Sequence, residues 1–355
     1  MIHDQVETHR ILDDLLHEKL KPIVKKVDCE AHYAEDYLKS LGQAGLLQSQ
    51  GLNENEVLLN GARLVEETAK TCMTTAFNLW CHLASLTYLR HSDNAFLRQE
   101  ILPLLENGQK LGGTGLSNPM KYYSGLAKLH LSAERVPGGY AITGHLGAVS
   151  NLGAGHWFGI VAEVHEGQRM MALIPCDAEG LTLKAKADYL GLNGSATYAC
   201  QFQQVFIADR YVITEDADAF VKKIRPAFIV YQIPLGFGVT HESVRAIEKV
   251  CKRQEPGNAL LPVQSEELEA ELVQLRNTFI QLIESGTLNS RWSELAQIRL
   301  DSAYLALKAV QAGMLHEGGS AYLRHSHASR RLREAYFFAN LTPTIKHLEL
   351  MLNHS

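Results

Sequence analysis

Apolar residues in this chain recur at helical spacing towards both ends and at strand spacing in between, and this double change of period restricts the folds open to it. Between residue 4 and about residue 110, Leu38, Leu41, Ala44 and Leu47, then Leu58, Leu59, Ala62, Leu64 and Val65, fall at intervals that predict amphipathic helices. The stretch from Cys72 to Leu86 is apolar nearly all round, which predicts a buried helix, and Pro103 with Asn107-Gly108 marks the end of the region. From about 111 to 212 glycines appear every few residues. The runs Leu129 to Glu134, Tyr140 to Thr143, Phe158 to Val164, Met170 to Ile174 and Cys200 to Phe206 read as strands, with Pro137-Gly138-Gly139 as a turn. Such spacing suits a compact β-barrel or sandwich. After Asp209 the helical period returns: Pro226 and Pro234 punctuate the first stretch, and Glu255-Pro256-Gly257-Asn258 separates two long helices. The expectation is an α+β protein with an N-terminal helical domain (1–110), a middle β domain (111–212) and a C-terminal helical bundle (213–355).

At 355 residues the chain can bury a substantial core, and 46% hydrophobic with 21% charged residues is ordinary for a soluble protein. A net charge of -5 with scattered lysines and arginines argues against nucleic acid as a partner. No apolar run approaches the length of a membrane span, and Met1-Ile-His-Asp-Gln-Val-Glu7 lacks a basic region followed by an apolar core, so a cytoplasmic protein is expected. Cys29, Cys72, Cys81, Cys176, Cys200 and Cys251 are far apart and are expected to be buried free thiols. His325, His327 and His347 form no helical i, i+4 pair around a carboxylate, so no metal site is expected.

Six short motifs follow one another in a fixed order. They are Leu38-Lys-Ser-Leu-Gly42-Gln-Ala-Gly45-Leu46; Gly115-Leu116-Ser117-Asn118-Pro119; Gly138-Gly139-Tyr140 through Ser150-Asn151; Leu190-Gly191 through Ser195 with Phe202-Gln-Gln-Val205; Ile224-Arg225-Pro226 with Pro234-Leu235-Gly236; and Gly318-Gly319-Ser-Ala-Tyr322 with Arg333-Glu334-Ala335 and Leu341-Thr342-Pro343-Thr344. Together, from about residue 38 to 350, they resemble the acyl-CoA dehydrogenase superfamily, whose architecture is a helical domain, a β-barrel or sandwich and a four-helix bundle.

The resemblance implies a flavoprotein binding FAD, with FMN or reduced flavin delivered by a reductase as the alternative. Carried over residue by residue, the cofactor-binding positions are Leu116, Ser117, Val149, Ser150 and Thr344. Arg253 matches an arginine that reaches a neighbouring subunit's cofactor, so a homodimer or homotetramer is implied. Arg225 and Thr342 fall in the substrate pocket. The departures matter as much as the matches: the family's catalytic glutamate is replaced by Thr342 and the following glycine by Pro343, and a second position used for that base in some relatives lies close to Ile224. A neutral hydroxyl is a poor base for a proton alpha to a thioester. Glu334 aligns with an acid that serves a structural ion pair, and Glu317 precedes the glycine pair; neither reads as the base. Ala148 replaces a bulky aromatic that screens one flavin face, which implies a roomier pocket.

Three readings stay open at this point. The first is α,β-dehydrogenation of acyl-CoA or a carrier-bound acyl group, with an electron-transfer flavoprotein as partner. The second is a two-component monooxygenase that uses a C4a-hydroperoxide and a flavin reductase and needs no alpha-proton base. The third is a catalytically silent flavin- or acyl-binding scaffold.

Overall fold

The computed structural model describes residues 2–165, 167–186, 188–252 and 257–353. Six helices come first: α1 (Ile2–Leu15), α2 (Val24–Cys29), α3 (Glu35–Gln43), α4 (Glu54–Thr71), α5 (Met73–His91) and α6 (Leu102–Glu106). Every side chain of α5 from Met73 to Leu89 is buried, as expected of a helix without a polar face. Next come β1 (Gly112–Thr114), a short helix α7 (Ser117–Tyr123), and the strands β2 (Leu131–Val136), β3 (Gly139–Val149), β4 (Trp157–His165), β5 (Gln168–Pro175), β6 (Leu181–Ala185), β7 (Tyr198–Ala208) and β8 (Val212–Thr214). They form one mixed sheet in the order β6-β7-β3-β2-β4-β5-β8, with β1 beside β4. The β2–β3, β3–β7, β4–β5, β5–β8 and β6–β7 ladders are antiparallel, whereas β1 and β2 both run parallel to β4. The sheet encloses its own core, in which Phe158, Ile160, Phe202 and Ile174 are fully buried.

The chain then becomes helical again with α8 (Ala217–Cys251), α9 (Ser265–Glu284), α10 (Trp292–Glu317), α11 (His327–Asn340) and α12 (Ile345–Asn353). Helices α8 to α11 form the bundle, and one hydrophobic core joins them to the N-terminal helices. Pro226 and Pro234 do not divide α8, which runs unbroken through both. The reason is position: α8 is buried from Pro226 to Thr240 between α4, α5 and α10, and packing on all sides outweighs the hydrogen bonds that proline forgoes. Neighbours also bond to its backbone, Trp80 Nε1 to the Phe228 carbonyl (2.9 Å) and Ser302 to the Ile233 carbonyl (3.1 Å).

Among the described residues no helix is long and apolar enough to cross a membrane, and no cluster of His, Cys, Asp or Glu could hold a metal ion. All six cysteines are free, but only Cys72, Cys81, Cys176 and Cys200 are buried. Cys29 and Cys251 are exposed, contrary to expectation, because both sit at helix C-termini where the chain turns out of the core.

Candidate functional site

Strand β1 lies against the end of β3, where Thr114 bridges to Ser150. Gly113 permits this approach, since a Cβ there would stand 2.7 Å from the Ser150 carbonyl oxygen. Three residues beyond Thr114, Ser117 opens α7 with its side chain exposed. Its hydroxyl lies 3.2 Å from that of Thr342, in the turn between α11 and α12. The fold thus brings Ser117, Ser150 and Thr342, far apart in sequence, to the junction of sheet and bundle. Leu116 and Val149 are buried beside them. The Leu116 amide donates to Thr114 Oγ1 (3.3 Å), and Val149 pairs with Tyr198 in the β3–β7 ladder.

Behind Thr342 the contacts come from the bundle. Its carbonyl accepts from Gln232 Nε2 on α8 (2.9 Å), and Gln232 Oε1 accepts in turn from Arg299 Nε on α10 (3.0 Å). Arg225 stands on α8 two helical turns before Gln232, and its guanidinium lies 4.3 Å from the centre of the Trp292 ring. Its Nε is buried without a hydrogen-bond partner among the described residues, and burial lowers its pKa. Thr344 serves α12: its hydroxyl accepts from the His347 amide (3.3 Å), and its own amide donates to His347 Nδ1 (3.4 Å). With Nδ1 accepting, His347 carries its proton on Nε2, and burial together with Lys121 and Lys346 lowers its pKa. Arg253 lies outside the described residues.

On the sheet side a chain of hydroxyls runs inward, from Ser150 to Thr197 (2.7 Å) and from Thr197 to Ser195 (2.7 Å). The Ser195 carbonyl accepts from Asn78 Nδ2 on α5 (2.8 Å), while Asn78 Oδ1 is buried with no partner among the described residues. On the helical side Phe77, Trp80, Phe228 and Phe337 interlock between α5, α8 and α11, with ring centres 4.8 to 5.5 Å apart. Sequence reading singled out none of Gln232, Arg299, Trp292, Thr197 or Asn78.

The carboxylates considered as bases are engaged elsewhere. Glu334 is buried against Arg330 (3.1 Å) and the Thr74 amide (3.2 Å), the structural ion pair expected of it, and Glu317 pairs with Arg331 (2.9 Å). Among the described residues no carboxylate hydrogen-bonds Ser117, Ser150 or Thr342.

These residues fit a flat heteroaromatic ring with hydrogen-bonding edges. Gly147 and Ala148 are exposed on β3, and a Cβ at Gly147 would meet nothing within 4 Å, so the strand offers an open shelf of small residues. The Ser150 hydroxyl follows that shelf along the chain, and the Ser117–Thr342 hydroxyl pair stands three residues beyond Thr114, the bridge partner of Ser150; an isoalloxazine requires such groups at its polar edges.

No protein-family model matches the chain. It is similar to the probable acyl-CoA dehydrogenase YngJ of Bacillus subtilis (strain 168), at 20% identity over 357 residues, or 94% of this chain and 92% of that one. Among solved structures it is similar to butyryl-CoA dehydrogenase from Megasphaera elsdenii (TM-score 0.86, 17% identity, 99% of this chain and 97% of that one). It is also similar to KijD3 in complex with FMN and dTDP-3-amino-2,3,6-trideoxy-4-keto-3-methyl-D-glucose (TM-score 0.76, 18% identity, 98% and 93%). The fold of this chain is that of the acyl-CoA dehydrogenases.

Proposed function

We propose that this chain, built on the acyl-CoA dehydrogenase fold, is a flavin-dependent oxidoreductase whose reaction uses no side-chain proton base. Ser117 and Ser150 would hold the polar edges of the ring, the Gly147–Ala148 shelf one face, and Thr342 the position from which the family's base acts. Reduced flavin supplies two electrons, so that one atom of dioxygen enters the substrate and the other leaves as water. One observation carries this reading: among the described residues the Thr342 hydroxyl meets only another hydroxyl, its carbonyl is held by Gln232, and Glu334 and Glu317 are both committed to arginines. A protein that oxygenates a heteroatom or an aromatic carbon does not need the missing glutamate, whereas α,β-dehydrogenation does.

FAD is the expected form, its diphosphate reached by Arg253 of a second copy, with a homodimer or homotetramer as the working unit. Thr344 would contact the ring from the turn it caps, and Arg225 would flank the substrate. The interlocked rings of Phe77, Trp80, Phe228 and Phe337 favour a compact substrate over a long acyl chain lying between α5 and α8. Dehydrogenation of an acyl thioester is the second reading, favoured by the likeness to YngJ along nearly the whole chain.

The test is spectroscopic. Purified protein supplied with FAD or FMN is expected to show a bound-flavin band that a panel of acyl thioesters leaves unbleached under anaerobic conditions. A reductase followed by oxygen should reduce and restore it. Rapid bleaching by any thioester would establish the dehydrogenase instead, and a chain that never binds flavin would be a scaffold.

A further inference from the structure

Arg299 is the largest fully buried side chain of the described structure, and no carboxylate pairs with it among the described residues. Its Nε donates to Gln232 Oε1 (3.0 Å), one terminal nitrogen donates to the Phe338 carbonyl (2.9 Å), and its central carbon lies 3.8 Å from the centre of the Phe338 ring. The other terminal nitrogen, Nη1, has no partner among the described residues. Burial pushes the pKa down to about 9, so the group is still a cation at neutral pH. A buried cation without a counter-ion is costly, and a packing role alone would be better filled by Met or Leu.

The wiring gives the charge a direction. An arginine can only donate, so the Gln232 oxygen must face Arg299 and its amide nitrogen must face Thr342. Two hydrogen bonds therefore connect the charge to the Thr342 carbonyl, on the residue whose hydroxyl meets Ser117.

We propose that Arg299 is a positioning residue that biases the Ser117–Thr342 site towards an anionic ring, favouring reduced over oxidised flavin. The proposal rests on the flavin reading above. Two-electron reduction with uptake of one proton turns the neutral oxidised ring into one that carries a single negative charge, which is the counter-charge that Arg299 lacks. The electrons come from the reductase of that reading, or from dithionite in the test. Gln232 transmits the bias by holding Thr342, and Arg299 need not touch the ring.

The test compares the affinities of oxidised and dithionite-reduced flavin, measured anaerobically, for the wild type, Arg299→Met, Arg299→Gln and Arg299→Lys. The wild type should prefer reduced flavin. For a unit charge near the site at an effective dielectric of about 20, Arg299→Met should shrink that preference by about tenfold. For a two-electron couple this lowers the midpoint potential by about 30 mV. Arg299→Lys should retain part of the preference, and Arg299→Gln, a neutral side chain that keeps an amide donor near the position of Nε, gives the same reading if the Met variant fails to fold. Flavin bound equally well in both redox states by the wild type and by the neutral variants would overturn the proposal, as would an equal loss of affinity for both states. Either result leaves the flavin reading intact, whereas a wild type that binds no flavin overturns both.

Discussion

His82 is fully buried on α5, and its two ring nitrogens have opposite duties: Nδ1 accepts from the Gly112 amide (2.9 Å), so Nε2 carries the proton and donates to the Leu105 carbonyl (3.1 Å). This neutral tautomer ties α5 to the end of α6 and to the start of β1, the strand that carries the site. Burial, the largest cause, pushes the pKa down to about 3. The folded value lies below the unfolded one, so the contribution of His82 is fully present above about pH 6.5. It is lost progressively as the pH falls towards 3, by at most about 5 kcal/mol. Urea denaturation of the wild type between pH 7 and pH 4 should show a steeper decline than that of His82→Gln, which keeps the contributions of other histidines whose pKa burial lowers, such as His156 and His241. Equal slopes for the two proteins would remove this account. Residues at this scale divide by how far their signal reaches along the chain. Ser117, Ser150 and Thr342 were legible because each lies in a motif of close neighbours. Arg299 and Gln232 were not, since an arginine in an amphipathic stretch reads as exposed and only the α8–α10 packing puts it in the dark.

Helix α11 is fastened to α5 by the carboxylate of its own internal ion pair. Arg330 and Glu334 lie one turn apart on α11, both nearly out of water, and Glu334 also accepts from the Thr74 amide and hydroxyl at the start of α5 (3.2 and 3.3 Å). Removing one partner strands the other charge, so Glu334→Leu should destabilise the protein by about 3 to 5 kcal/mol. Arg330→Met combined with Glu334→Leu should recover most of that loss, because a buried pair replaced by apolar groups of similar size is close to neutral. Chemical denaturation of the two variants decides it: a double variant no more stable than the single one would show that the pair does more than cancel its own charges. Element by element, legibility followed length and contrast. Helix α5 was plain from its all-round apolar character, and β2, β3, β4, β5 and β7 from their β-branched and aromatic runs. The short strands β1, β6 and β8 are three to five residues long and have no period to detect, and their partners alone make them strands. The two prolines of α8 misled for the opposite reason, since a local rule was overridden by burial on every side.

For the whole molecule, the order helical, β, helical could be read from period alone, whereas a second copy entered only through the resemblance at Arg253, which names no surface for it. The surface supplies that argument. At the C-terminal end of α10, Gly318 adopts a positive φ of 62°, and a Cβ at Gly318 or Gly319 would meet nothing within 4 Å. Around this open turn Leu315, Tyr322 and Leu323 expose 62%, 87% and 66% of their surface. Large apolar side chains gathered beside bare backbone are poorly suited to water and well suited to an isologous interface, in which each contact is made twice. We therefore expect a homodimer or a higher homo-oligomer that buries this turn. Tyr322→Lys with Leu323→Glu should weaken it: losing about 2 kcal/mol per copy doubles to about 4 kcal/mol, which raises the dissociation constant by about a thousandfold. Multi-angle light scattering should then report a monomer where the wild type is a dimer or larger, with far-ultraviolet circular dichroism unchanged. If the neighbouring copy completes the flavin site, the monomeric variant should also bind flavin more weakly. A wild type that is monomeric at micromolar concentration yet holds flavin tightly would refute the shared site, and the diphosphate of the cofactor would then have to be bound within one chain.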